Sequence, residues 1–169
     1  LYELAPRELA QSWDNVGLLV GDPTSQVSSV LVALDVTQEV AEEAAKRGCG
    51  LIVAHHPLMN CAWSPVQSVR SDRTQGKLIT TLIQNGISAI CMHTNLDSAS
   101  GGVNDALAAA LGLKDIAPLS EDGIGRIGTL EQEMPLEKFA ALVKEQLQAG
   151  GVRYADGGRN VCRVAVGGG

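Results

Sequence analysis

Two adjacent histidines, His55 and His56, stand at the end of the apolar run Leu51-Ile52-Val53-Ala54 and directly before Pro57. His93, the only other histidine, closes a second apolar run, Ile87-Ser88-Ala89-Ile90-Cys91-Met92, and leads into Thr94-Asn95-Leu96-Asp97. Asp35 ends a third run, Val30-Leu31-Val32-Ala33-Leu34. Imidazoles and carboxylates gathered in one place can ligate a divalent metal, and they suit Zn, Fe, Mn, Ni or Co without selecting among them. A lone histidine is more often a structural group hydrogen-bonded to backbone. Two in tandem, with His93 and Asp97 at matching positions, favour a metal site. Adjacent strand residues point to opposite faces. His55 and His56 can therefore share one site only if the chain twists after His55, or else the site holds two ions. Cys91 lies two residues before His93, where a buried apolar thiol is the preferred assignment.

Each of these groups needs an element to carry it. An apolar run such as 51–54 fits a strand buried on both faces, as in a parallel sheet, and Pro57 stops it. Thr37 is an N-cap for a helix over 38–47 that Gly48 ends, and a second helix spans 73–85 before Gly86. Residues 30–92 thus alternate strand-helix-strand-helix-strand, which predicts an α/β fold with a parallel-core sheet flanked by helices. Asp35, His55, His56 and His93 all fall at C-terminal strand ends, the side on which open α/β sheets bind ligands. Asp35 caps its own helix or orients a ligand; Asp97 and Asn104 have alternative roles as turn or cap residues before a helix over 103–111. A helix over 3–11, an Asx turn at Ser12–Gly17 and a short strand at 18–20 precede this unit. A soft boundary at 118–123 separates a metal-binding α/β domain, 1–118, from the start of a smaller α+β domain, 119–169.

The 169 residues suffice for one sizeable core, or one domain plus part of another. With two Trp, two Tyr and one Phe, that core must rest on aliphatic side chains. A net charge of -6 offers no basic footprint for nucleic acid or anionic lipid. No apolar run is long enough to span a bilayer, so a cytoplasmic location is expected. The four cysteines (Cys49, Cys61, Cys91, Cys162) form no CxxC pair and are expected as thiols in a reducing compartment. Neither a phosphate loop, a dinucleotide-binding GxGxxG nor a nucleophile elbow is present. A start on Leu1 and a stop at Gly167-Gly168-Gly169, directly after the strand-like 161–166, suggest a fragment.

Five segments occur in order: Trp13-Asp14-Asn15-Val16-Gly17-Leu18, Leu34-Asp35-Val36-Thr37, His55-His56-Pro57-Leu58, His93-Thr94-Asn95-Leu96-Asp97 and Gly101-Gly102-Val103-Asn104-Asp105. Together they resemble the GTP cyclohydrolase I type 2-like family, also called Nif-three-like or DUF34, over nearly the whole chain from Leu4. The resemblance implies a two-domain α/β protein that assembles as a toroidal homohexamer, with two divalent metal ions facing its cavity. It implies His55 and His56 as ligands, one per ion, together with Asp97, and His93 beside the centre. A further His and Glu that complete the family's centre lie beyond the residues here. The function implied is a metal-dependent hydrolase acting on a small nucleotide-like or heterocyclic substrate, with His93 or Asp35 as proton shuttle or orienter. The alternatives are a non-catalytic metal-binding or regulatory ring-forming protein and a metal-free ligand-binding α/β domain.

Overall fold

The computed structural model describes residues 1–60 and 65–168; Cys61 and Gly169, each part of an expectation above, lie outside them. Contacts divide the chain into two compact units, Pro6–Leu96 with Tyr2, and Asp97–Gly169 with Leu1 and Glu3–Ala5.

In the first unit four short strands form one sheet: β1 (Gly17–Val20), β2 (Val30–Ala33), β3 (Leu51–Ala54) and β4 (Ser88–Cys91), in the order β1-β4-β3-β2. The strands β2, β3 and β4 pair in parallel, with Ala33 opposite Ala54 and Ala54 opposite Cys91, while β1 lies antiparallel on β4. Parallel neighbours need crossovers, and two helices supply them: α1 (Gln38–Lys46) and α2 (Thr74–Gln84). The Val40 N–H donates to Thr37 Oγ1 at 3.2 Å, so Thr37 caps α1, and Gly48 leaves the helix at φ 68°. Ala41 and Ala44 of α1 and Leu78, Ile79 and Leu82 of α2 share one apolar cluster with Ile52, Ala89 and Cys91.

Two expectations are corrected here. Burial on both faces holds for β4; β3, expected to share it, buries Ile52 and Ala54 but leaves Leu51 and Val53 only half-buried, and the edge strand β2 exposes Val30 and Val32. The helix expected over 3–11 is reduced to a 3-10 turn at Arg7–Leu9. Pro6 lacks an N–H and pushes Ala5 toward extended backbone, which splits the segment.

The second unit begins inside α3 (Thr94–Ser98) and continues through α4 (Val103–Ala110). An antiparallel sheet follows, with β6 (Arg126–Met134) between β5 (Lys114–Pro118) and β7 (Val161–Val166), and α5 (Leu136–Gln146) joins β6 to β7. Ala108 and Leu111 pack with Leu113, Leu130, Val164 and Val166, and Phe139 and Val143 of α5 lie against that cluster. The composition break at 118–123 therefore falls within this unit: β5 pairs with β6, and α4 packs into the same core. Asn104 sits inside α4 and is fully buried, while Gly102 holds the N-cap position. Its Nδ2 donates to Asp97 O at 3.0 Å, and its Oδ1 accepts from the Gly168 N–H at 2.8 Å.

Arg126 is a buried cation of the second unit, 4% exposed. It pairs with Asp105 and donates to the carbonyls of Ser98, Ala99, Gly123 and Gly125. The hydrogen bond from Arg126, then one from the Gly101 N–H, outweighs partial burial and holds the Asp105 carboxyl below its ordinary pKa. A depressed folded-state pKa gives stability that is present above the unfolded value and is lost as pH falls through the folded one. Asp105→Asn is expected to cost about 2–3 kcal/mol in urea unfolding at pH 7, because it leaves a buried guanidinium without its anion. The gap between variant and parent should narrow below about pH 4, the usual carboxylate value; a constant gap would remove Asp105 ionisation as its cause.

Candidate metal centre

The in-register parallel strands release their chains along one sheet edge, and the histidines stand there. After Ala54 the backbone leaves strand geometry: the N–H groups of His55 and His56 both donate to Leu34 O, at 3.2 and 3.0 Å. Two consecutive amides converging on one carbonyl break the alternation that would send the two rings to opposite faces. Their ring centroids lie 5.1 Å apart, and His93, two residues beyond β4, lies 5.0 Å from His55 and 5.7 Å from His56. One ligand nitrogen from each ring falls within 4.8 Å of the others. Two nitrogens on one ion can stand at most about 4.2 Å apart, twice a metal–nitrogen bond, so a common ion would need only a small shift of the rings.

Each imidazole is anchored through Nδ1 to an oxygen. His55 Nδ1 is 2.9 Å from the Met92 carbonyl, His56 Nδ1 is 2.7 Å from Asp35 Oδ1, and His93 Nδ1 is 2.9 Å from Asp14 Oδ2. Carbonyl and carboxylate oxygens only accept, so each Nδ1 donates and the lone pair of each neutral ring resides on Nε2. Metal-binding histidines are commonly held this way, by an oxygen acceptor on the nitrogen away from the ion. Three imidazoles, two backed by carboxylates and one by a main-chain carbonyl, fit a borderline divalent cation.

The site opens into a cleft of about 630 Å³. Thr37 and Gln38 at the start of α1 and Thr74 and Gln75 at the start of α2 line it, with Leu58 and Leu78 adding apolar side chains. Asn15 Nδ2 donates to Met59 O at 2.8 Å, tying the segment before β1 to the loop after Pro57.

Of the residues singled out from sequence, His55, His56 and His93 come together, and Asp35 faces His56, not the α1 N-terminus, which Thr37 caps. Asp97 belongs to the second unit, where its side chain is buried. Cys91 lies in the apolar cluster. Sequence reasoning overlooked Asp14. Its side chain is fully buried, and although burial raises its pKa, hydrogen bonds from Thr94, His93 and Asn15 hold it below the usual value. Only the Trp13-Asp14-Asn15 motif marked it, and a turn at that point explained the motif equally well.

A family model described as Duf34/NIF3 (NGG1p interacting factor 3) matches residues 1–169. Proteins named GTP cyclohydrolase 1 type 2 homolog are similar: one from Clostridium perfringens is 40% identical over 159 residues, 90% of this chain and 60% of that protein. Another, from Streptomyces coelicolor, is 41% identical over 177 residues, 98% of this chain and 61% of its own. The chain thus spans about three fifths of the curated relatives it matches. Among solved structures, a hypothetical protein of Staphylococcus aureus superposes with a TM-score of 0.88 at 33% identity, over 100% of this chain and 69% of that one. Reduced HcgD from Methanocaldococcus jannaschii superposes with a TM-score of 0.81 at 30% identity, over 99% and 66%.

Asp35→Ala takes the acceptor from His56 Nδ1 while leaving the core untouched. Zn(II) affinity, read by competition with a chromophoric chelator, is expected to fall about 10- to 100-fold; equal affinity would show that Asp35 does not hold His56 for an ion.

Proposed function

Because this chain belongs to the Duf34/NIF3 family, we propose that the protein is a metal-dependent hydrolase, acting through a dinuclear centre on a small nucleotide-like or heterocyclic substrate. One observation carries the proposal: three imidazoles, each anchored through Nδ1, cluster together, and two of them, His56 and His93, line a cleft. In this assignment His55 and His56 each hold one of two divalent ions, and Asp97 is a further ligand by its match to the family motif. Ions bound there supply Lewis acidity and a source of hydroxide near neutral pH.

The chain's own residues do the rest. Asp35 and the Met92 carbonyl hold the two ligand rings in direction. His93, whose Nδ1 is bonded to a carboxylate, is assigned proton transfer at Nε2, the arrangement in which a neighbouring carboxylate stabilises a transient imidazolium. Polar residues Thr74 and Gln75 along the cleft suit the donor and acceptor edge of a heterocycle, and Leu58 and Leu78 suit its faces. The names of the relatives, GTP cyclohydrolase 1 type 2 homologs, support a substrate of that class. A cytoplasmic homohexamer is part of the same proposal.

Metal content after Zn(II) or Mn(II) loading tests the ligands. Parent protein should retain metal through gel filtration, while His55→Ala and His56→Ala each lose most of it; unchanged content in both variants ends the proposal. Turnover is then screened with nucleotides and cyclic amides on metal-loaded full-length protein. Metal-dependent turnover lost in Asp97→Ala supports a hydrolase, whereas bound metal with no turnover of any of them favours a non-catalytic metal-binding module.

A further inference from the structure

We infer that Asp14 is a positioning residue that fixes the Nδ1–H tautomer and the ring direction of His93, so that Nε2 is the atom His93 turns toward the cleft. The value of that atom to an ion or a substrate rests on the function proposed above; the coupling of Asp14 to His93 does not.

The Asp14 side chain is 0% exposed, and four donors meet its carboxylate. Oδ2 accepts from His93 Nδ1 at 2.9 Å, from the Thr94 N–H at 3.1 Å and from Thr94 Oγ1 at 2.5 Å; Oδ1 accepts from the Asn15 N–H at 2.8 Å. An ionised carboxylate accepts only, and three of these four donors converge on Oδ2, so it has nothing to donate to His93. His93 must therefore supply the proton of their shared bond. Thr94 removes the remaining freedom. Its Oγ1 accepts the Gln11 N–H at 3.0 Å, which leaves the hydroxyl proton directed at Asp14. Trp13 stands edge-on to the His93 ring at 6.2 Å and 79°, so the residue preceding Asp14 also bounds that ring.

A purely structural role is a real competitor, because Asp14 also ties the segment before β1 to the end of β4. Thr94 serves that tie with two bonds to Asp14 and one from Gln11, whereas only the His93 bond bears on a tautomer. Different substitutions therefore separate the two roles. Asp14→Ala removes the acceptor of His93. Thr94→Val weakens the tie and keeps the Asp14–His93 bond.

Long-range ¹⁵N–¹H correlation spectra of the imidazoles, recorded on metal-free protein at pH 8 and assigned with His93→Gln, read the tautomer directly. In the parent and in Thr94→Val, His93 should carry its proton on Nδ1; in Asp14→Ala the proton should shift wholly or partly to Nε2. Thr94→Val should lower the urea midpoint and leave the His93 tautomer in place, and both variants should keep Zn(II) affinity near the parent's, because the ions are assigned to His55, His56 and Asp97. An Nε2–H tautomer in the parent overturns the inference, as does an unchanged tautomer in Asp14→Ala or an equal change in Thr94→Val. If Asp14→Ala does not fold, the spectra of the parent and Thr94→Val decide alone. A tautomer that moves in a protein that binds no Zn(II) would end the metal proposal and leave the positioning role standing.

Discussion

The in-register parallel pairing of β2, β3 and β4 is the constraint on which the rest of the site depends. It sets Ala33, Ala54 and Cys91 in one row across the sheet, so the residues that follow must emerge along a single edge. Pairing persists just past the strands: the Met92 N–H donates to Ala54 O at 2.9 Å, and the N–H groups of His55 and His56 reach Leu34 O. Main-chain hydrogen bonds therefore bring three chain segments together before any side chain is considered. The apolar cluster beneath holds the register, since a one-residue slip would turn Ile52 and Ala54 away from α1 and α2.

On that edge the polar groups are arranged in two layers. Three imidazoles form the inner layer, and the Met92 carbonyl, Asp35 and Asp14 form the outer one. The outer acceptors differ in setting. Asp35 and His56 are substantially exposed, whereas Asp14 is buried and His93 is 13% exposed. Competition from water weakens the exposed bond and leaves the buried one nearly intact, so His93 is the more firmly directed of the two.

Much of this was legible in the sequence, because local signals agreed with the tertiary outcome. Thr37 caps α1, Gly48 and Gly86 end the helices, and the apolar runs before Asp35, His55 and His93 are strands. The α/β fold follows from that alternation. Other features left no local trace. The open face of β2 arises from its place at the sheet edge, and Val30-Leu31-Val32 reads the same in an edge strand as in a central one. The partnership of Asp14 with His93 spans 79 residues, and an Asx turn accounts for Asp14 equally well. The tandem histidines share a side because Leu34 O gathers two amides, a main-chain event that no side-chain pattern records. The division at Leu96/Asp97 depends on which core α4 joins, and its Ala-rich sequence would suit either.

The bond from His55 to the Met92 carbonyl has a consequence for heritable variation. A main-chain oxygen is not encoded by the identity of its residue, so no missense change at position 92 deletes it. Point mutation can strip His56 or His93 of its acceptor through a single codon, at 35 or at 14. For this bond His55 has no such codon; the bond is lost through changes that displace the end of β4. The three rings are therefore unequal before mutation: two are directed by side chains that a codon change can remove, and one by a main-chain oxygen of the strand end.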